Sequence, residues 1–146
     1  MRALSNSEAK KWCRAQGAIL GGNGFPEAKG KTKSFVIPTD AGPRVALAEQ
    51  HLERFRGSGK TLVWFNDWAV WPSGQRMHIF ERFLASYGEK RPLIEVPAFL
   101  FAGHEFEDLV SFVTLGLLFL WDVHVLSTKA RRLLFYSHDE IGWIET

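Results

Sequence analysis

The chain has a single cysteine, Cys13, so it can close no internal disulfide and cannot supply the several thiolates of a structural zinc site. Long apolar runs are also missing. The greasiest stretch, Leu109 to Trp121, is broken by Ser111, Thr114 and Gly116 and falls short of the roughly 20 residues a bilayer span needs. The opening residues, MRALSNSEAKKW, hold no apolar segment of signal-peptide length. A cytoplasmic, membrane-free protein is the expectation. Nor is there an excess of one charge: 18 basic residues against 16 acidic ones leave +2, too little to mark a nucleic-acid binder by itself.

What remains is 146 residues that are 46% apolar and 14% aromatic. That length suits one domain over residues 1–146, and the aromatic content excludes a disordered chain. The charge is unevenly spread. Residues 1–60 are basic, with Lys10, Lys11 and Arg14 followed by Lys29, Lys31 and Lys33 in a Gly-rich segment, whereas residues 61–146 are acidic. Residues 1–32 read as a peripheral helix and flexible loop, and residues 33–146 as a sheet core.

Ser5 or Ser7 caps a first helix that stops near Gly17, and Ala18 to Leu20 is a short strand. Ser34 to Ile37 is a strand ended by Pro38. Thr39 or Asp40 then caps a helix with Pro43 in its first turn. Thr61 to Phe65 is an apolar strand, Ser73 caps a helix running to Gly88, and Leu93 to Val96 is a strand closed by Pro97. A nearly all-apolar helix spans Glu105 to Gly116. Leu118 to Leu126 and Leu133 to Ser137 form a hairpin. Strands alternating with helices predict an α/β, three-layer domain with a mixed, mostly parallel sheet and a C-terminal antiparallel hairpin; an α+β sandwich is the alternative.

Most motifs fail on inspection. Gly57-Ser58-Gly59-Lys60-Thr61 ends like a P-loop, but Arg54 occupies the required glycine and the helix precedes the strand. His104-Glu105 begins like HExxH, but the second histidine is Asp108. Asp122, His124 and His138-Asp139-Glu140 lie in and beside the hairpin. If Thr128 to Arg131 form its turn, Asp122 faces Ser137. Alternation then puts Asp122 and His124 on one face and His138 on the other, against a joint cluster. No metal site and no cofactor is assigned.

The runs LVWFNDWAVWPS, RPLIEVPAFLF, LGLLFLWDVHVLS and YSHDE, covering residues 61–146, resemble a group of uncharacterised bacterial proteins. The resemblance implies a small bacterial cytoplasmic protein without an assigned reaction and transfers no site residues.

In a parallel sheet, ligands gather at the carboxyl ends of the strands. That rule groups Asp67, Trp68, Trp71, His104, Arg131 and Arg132 on one rim and sends His138 to Glu140 to the opposite end. The leading functional expectation is a non-catalytic interaction or accessory protein, of the immunity type, that docks on another protein through Trp68 and Trp71, with Arg131 and Arg132 beside them. The rival is a small hydrolase or nuclease-like enzyme using Asp67 and His104 as base and acid. A third reading is nucleic-acid binding by the basic first 60 residues. Homo-oligomerisation is left open.

Overall fold

The structure, a computed structural model, describes residues 1–68, 77–128 and 131–146. Its main element is a seven-stranded sheet in the order β1-β6-β5-β7-β8-β9-β4. The strands are β1 (Arg2–Leu4), β4 (Thr32–Val36), β5 (Lys60–Asp67), β6 (Ala98–Ala102), β7 (Asp122–Ser127), β8 (Leu133–Tyr136) and β9 (Ile141–Glu145). Two short strands, β2 (Ile19–Leu20) and β3 (Pro26–Glu27), pair separately. The helices are α1 (Asn6–Ala15), α2 (Ala41–Leu52), α3 (Met77–Ser86) and α4 (Phe106–Leu118).

Every pairing in the main sheet is antiparallel, which overturns the expected mostly parallel arrangement. The reason lies in the pairings themselves. The crossovers β4-α2-β5 and β6-α4-β7 do join strands that run in the same direction. Neither pair is adjacent, however: β5 fills the slot between β6 and β7, and β7, β8 and β9 lie between β5 and β4. A sheet of antiparallel strands with helices packed on it is α+β architecture.

Side chains of alternate strand residues separate into two cores. Val63, Phe65, Phe99, Phe101, Val123, Val125, Leu134 and Tyr136 face α2, α3 and α4. Leu62, Trp64, Ala98, Leu100 and Leu126 face α1, with Ala9 and Cys13 against them. On the first side, Phe112 of α4 is fully buried amid the rings of Phe80, Phe83, Tyr87, Phe99 and Phe101, at centroid distances of 4.9 to 5.7 Å. Gly116 lets α4 settle on the sheet, since a Cβ there would lie 2.8 Å from Phe65 and Val123. α1 starts where expected: Ser5 and Glu8 form a capping box, and Asn6 accepts from the Trp64 indole at 3.0 Å.

Three boundaries differ from the sequence reading. Residues 93–95 form a turn and the strand follows Pro97 rather than preceding it. The short strand expected at Ala18 to Leu20 is present as β2, and the segment after it, read as a flexible loop, folds back as β3 to pair with it. β1 and β9 also join the sheet, although neither shows a distinct pattern of its own. Ser73 lies outside the described residues.

Phe112→Ala should cost about 3–5 kcal/mol, as for large buried aromatics generally. Urea unfolding of the variant and the parent checks it; a loss under about 1 kcal/mol would contradict the central placement of this ring.

Candidate functional site

Antiparallel pairing decides which chain ends meet. β5 pairs with β7 from Thr61↔Ser127 to Asp67↔Asp122, so the carboxyl end of β5 abuts the amino end of β7. Phe65 pairs with Val123 and Asp67 with Asp122, leaving Asn66 as the extra residue of a β-bulge. Without it, alternation would send Asp67 to the same face as Val63 and Phe65. The bulge turns Asp67 toward Asp122 instead.

The hairpin register agrees with the sequence reading: Val123↔Tyr136 and His124↔Phe135 put Asp122 opposite Ser137. The inference drawn from that register fails. β8 ends at Tyr136, and His138 lies in the turn before β9, where alternation no longer governs direction. The turn folds His138 onto Asp122. Asp122 Oδ1 accepts the His138 backbone N–H at 2.7 Å and lies 2.8 Å from its Nδ1. Asp139 Oδ1 lies 3.6 Å from His138 Nε2, and Asn66 donates to Asp122 Oδ2 at 3.5 Å. One ligand atom each from Asp67, Asp122 and His138 fall within 4.8 Å of one another. Partial burial works against charge on His138, but the hydrogen bond to Asp122 and the carboxylates of Asp122, Asp139 and Asp67 outweigh it, so its pKa is raised.

A second interaction holds this turn in place. Arg44 of α2 is 6% exposed; it donates to the carbonyls of Pro38 and Leu117 and pairs with Glu140 at 2.9 Å. Glu140 has φ +60°, a left-handed conformation that is costly for a residue with a Cβ. Its N–H donates to Ser137 and its carbonyl accepts from Ile37. Arg44 and Asn66 had no signal in the sequence, because both act through a turn or bulge that only the pairing reveals.

The grouped rim of the sequence reading comes apart. Asp67 and Trp68 lie at one end of the sheet. His104 follows β6, whose Ala102 pairs with Lys60, so it sits about 20 Å from Asp67 along the strand direction. Direct acid–base cooperation between Asp67 and His104 is excluded at that distance. Arg131 and Arg132 are also at the far end. Arg132 donates to Ser58 at 3.0 Å, and both arginines line a cleft of about 280 Å³ with Gly57, Gly59 and Thr128. Trp68 is partly buried and packs against the helical core, which leaves it as a plug at the end of that core. Trp71 lies outside the described residues.

His124 is separate from this cluster. It is 6% exposed, stacked on Phe25 at 5.4 Å and tilted against Phe135 at 4.5 Å; its Nδ1 has no hydrogen-bond partner among the described residues. Burial pushes its pKa down to about 3, so it is neutral in the folded protein.

The other half of that sheet face is open. Toward β9 and β4 lie Phe135, Trp143, Ile141 and Val36, the last two 56% and 74% exposed, around a groove of about 390 Å³. A larger hollow, about 680 Å³, lies among α2, α3 and α4, with Glu49 and Arg82 as its only ionisable groups among the described residues. None of the described helices is long and apolar enough to cross a membrane.

Because the unfolded His124 protonates near pH 6.5 and the folded one near pH 3, the unfolded state binds the extra proton between those values. Its contribution to stability is therefore complete above pH 6.5 and lost as the pH falls. His124→Phe keeps an aromatic ring in the stack and removes the titration. Urea unfolding at pH 7.5 and pH 5 should show the variant losing less stability on acidification than the parent; an equal loss would contradict the burial of a neutral imidazole. Comparison of the chain with protein-family models, with curated proteins and with solved structures gives no match.

Proposed function

We propose that the protein is a non-catalytic docking module that binds an extended, acidic and apolar segment of another protein along the edge strand β4. The observation that carries this reading is the open part of the sheet, where Val36 and Ile141 stand exposed beside Phe135 and Trp143 at an edge that nothing covers among the described residues.

The backbone of β4 favours an added strand. Thr146 N–H donates to the Lys31 carbonyl and Ile37 N–H donates to the Glu140 carbonyl. Odd-numbered residues of β4 thus bond to β9, while Thr32, Ser34 and Val36 turn their N–H and C=O groups outward. Their side chains share the face that carries Ile141 and Trp143. A partner strand would gain main-chain hydrogen bonds from this edge and place alternate apolar side chains in the groove.

Charge selects the kind of partner. Lys31 and Lys33 are exposed and form no ion pair with a described residue. Lysines on an edge strand oppose pairing of two identical edges, so a second copy is disfavoured and an acidic segment is favoured. This is the accessory or immunity-type role suggested by the sequence, moved from the tryptophan loop to the sheet face. The same lysines would also attract a polyanion, which makes an oligonucleotide the necessary control.

The tagged chain, its Val36→Asp variant and a Lys31→Glu/Lys33→Glu variant would be used to capture partners from the native cell extract. A captured protein should be lost by about tenfold or more with Val36→Asp, which buries an unpaired charge in the interface, and weakened by the lysine reversals. Capture indifferent to both changes, or tight binding of a labelled single-stranded oligonucleotide in place of protein, would contradict the reading.

A further inference from the structure

Independently of the docking face, we infer that Asp67, Asp122 and His138 form a binding site for a divalent transition-metal ion of the Mn²⁺ or Zn²⁺ kind. The three donors come from the bulged end of β5, the first residue of β7 and the turn between β8 and β9. Their ligand atoms already lie within 4.8 Å of one another. Ligands held at about 2.1 Å from one ion can be about 4 Å apart, so small side-chain rotations close the site.

The electrostatics of the cluster call for a cation. Three carboxylates, Asp67, Asp122 and Asp139, surround one imidazole, so negative charge remains in excess even with the ring protonated. Asp122 is 8% exposed. Its Oδ1 is occupied by His138, but among the described residues Oδ2 has only the Asn66 amide at 3.5 Å, the limit of a hydrogen bond.

Asn66 lies beside the cluster: its amide nitrogen donates to Asp122 Oδ2 at 3.5 Å, and its buried Oδ1 has no hydrogen-bond partner among the described residues. The bulge that carries it delivers the Asp67 carboxylate to Asp122 and His138.

Donor chemistry narrows the ion. Ca²⁺ and Mg²⁺ favour all-oxygen shells, and thiolate-loving ions find no sulfur here. One imidazole nitrogen with carboxylate oxygens suits Mn²⁺ and Zn²⁺, leaving positions for water.

Calorimetric titration of the chelator-treated full chain with MnCl₂, ZnCl₂ and MgCl₂ tests the site. The expected result is one Mn²⁺ or Zn²⁺ per chain, bound more tightly than Mg²⁺. Asp67→Asn and His138→Gln should each weaken binding at least about tenfold, the lower end of what disturbing even an outer partner costs. Circular dichroism shows which variants fold. The Asp67 carboxylate makes no hydrogen bond to a described residue, so Asp67→Asn alone decides the matter if His138→Gln unfolds. Failure of the folded parent to bind either ion at millimolar concentration, binding undiminished by Asp67→Asn, or Mg²⁺ as the tightest ligand would each overturn the assignment. In the first case the imidazole serves only as a counter-ion to Asp122.

Discussion

The antiparallel ladder between β5 and β7 governs where the candidate site residues of this protein end up. β5 is apolar and buried through most of its length and is hydrogen-bonded on both sides, to β6 and to β7. Once β7 runs against it, the start of β7 and the turn after β8 must lie at the carboxyl end of β5. The β7-β8 connection and the residues after β6 must lie at the other. Asp67, Asp122 and His138 therefore collect at one end of the sheet, and His104, Arg131 and Arg132 at the opposite one. The fold thus holds Asp67, Asp122 and His138 together at one end and the Arg131–Arg132 cleft at the other, with apolar layers between.

Two local departures from regularity refine that arrangement. The bulge at Asn66 rotates Asp67 out of the helical core and toward its neighbour strand. The left-handed Glu140 lets the chain reverse tightly after Ser137, and Arg44, itself buried, fastens the reversal to α2. Strain and a buried guanidinium both carry a cost, and both are spent on holding His138 against Asp122.

Much of the local structure is legible in the residues. The Ser5 cap of α1, the apolar α4 and the Asp122–Ser137 register follow from capping, composition and turn length. The topology is not legible in the same way. Alternating strands and helices suggest same-direction crossovers; β4-α2-β5 and β6-α4-β7 are of that kind, whereas α3 joins the adjacent antiparallel strands β5 and β6, and the alternation says nothing of how many strands are inserted between a joined pair. β1 has three residues, and β9 reads IGWIE, whose glycine at the second position makes it resemble a tail as much as a strand. Missing those two removes the evidence that the sheet is wide enough for insertion. The register brings Asp122 opposite Ser137, but alternation holds only to Tyr136, the end of β8, and so does not give the direction of His138 two residues on. The sequence signal that could have corrected this is Ser137-His138-Asp139-Glu140 itself, a polar turn between two apolar runs.

The most direct test is a nuclear Overhauser experiment on the isotope-labelled chain. The account predicts cross-strand contacts between Val63 and Val125 and between Asp67 and Asp122, with the His138 ring close to the Asp122 methylene. Contacts linking Asp67 instead to residues 127–132, as a parallel β5-β7 pair would produce, would contradict it.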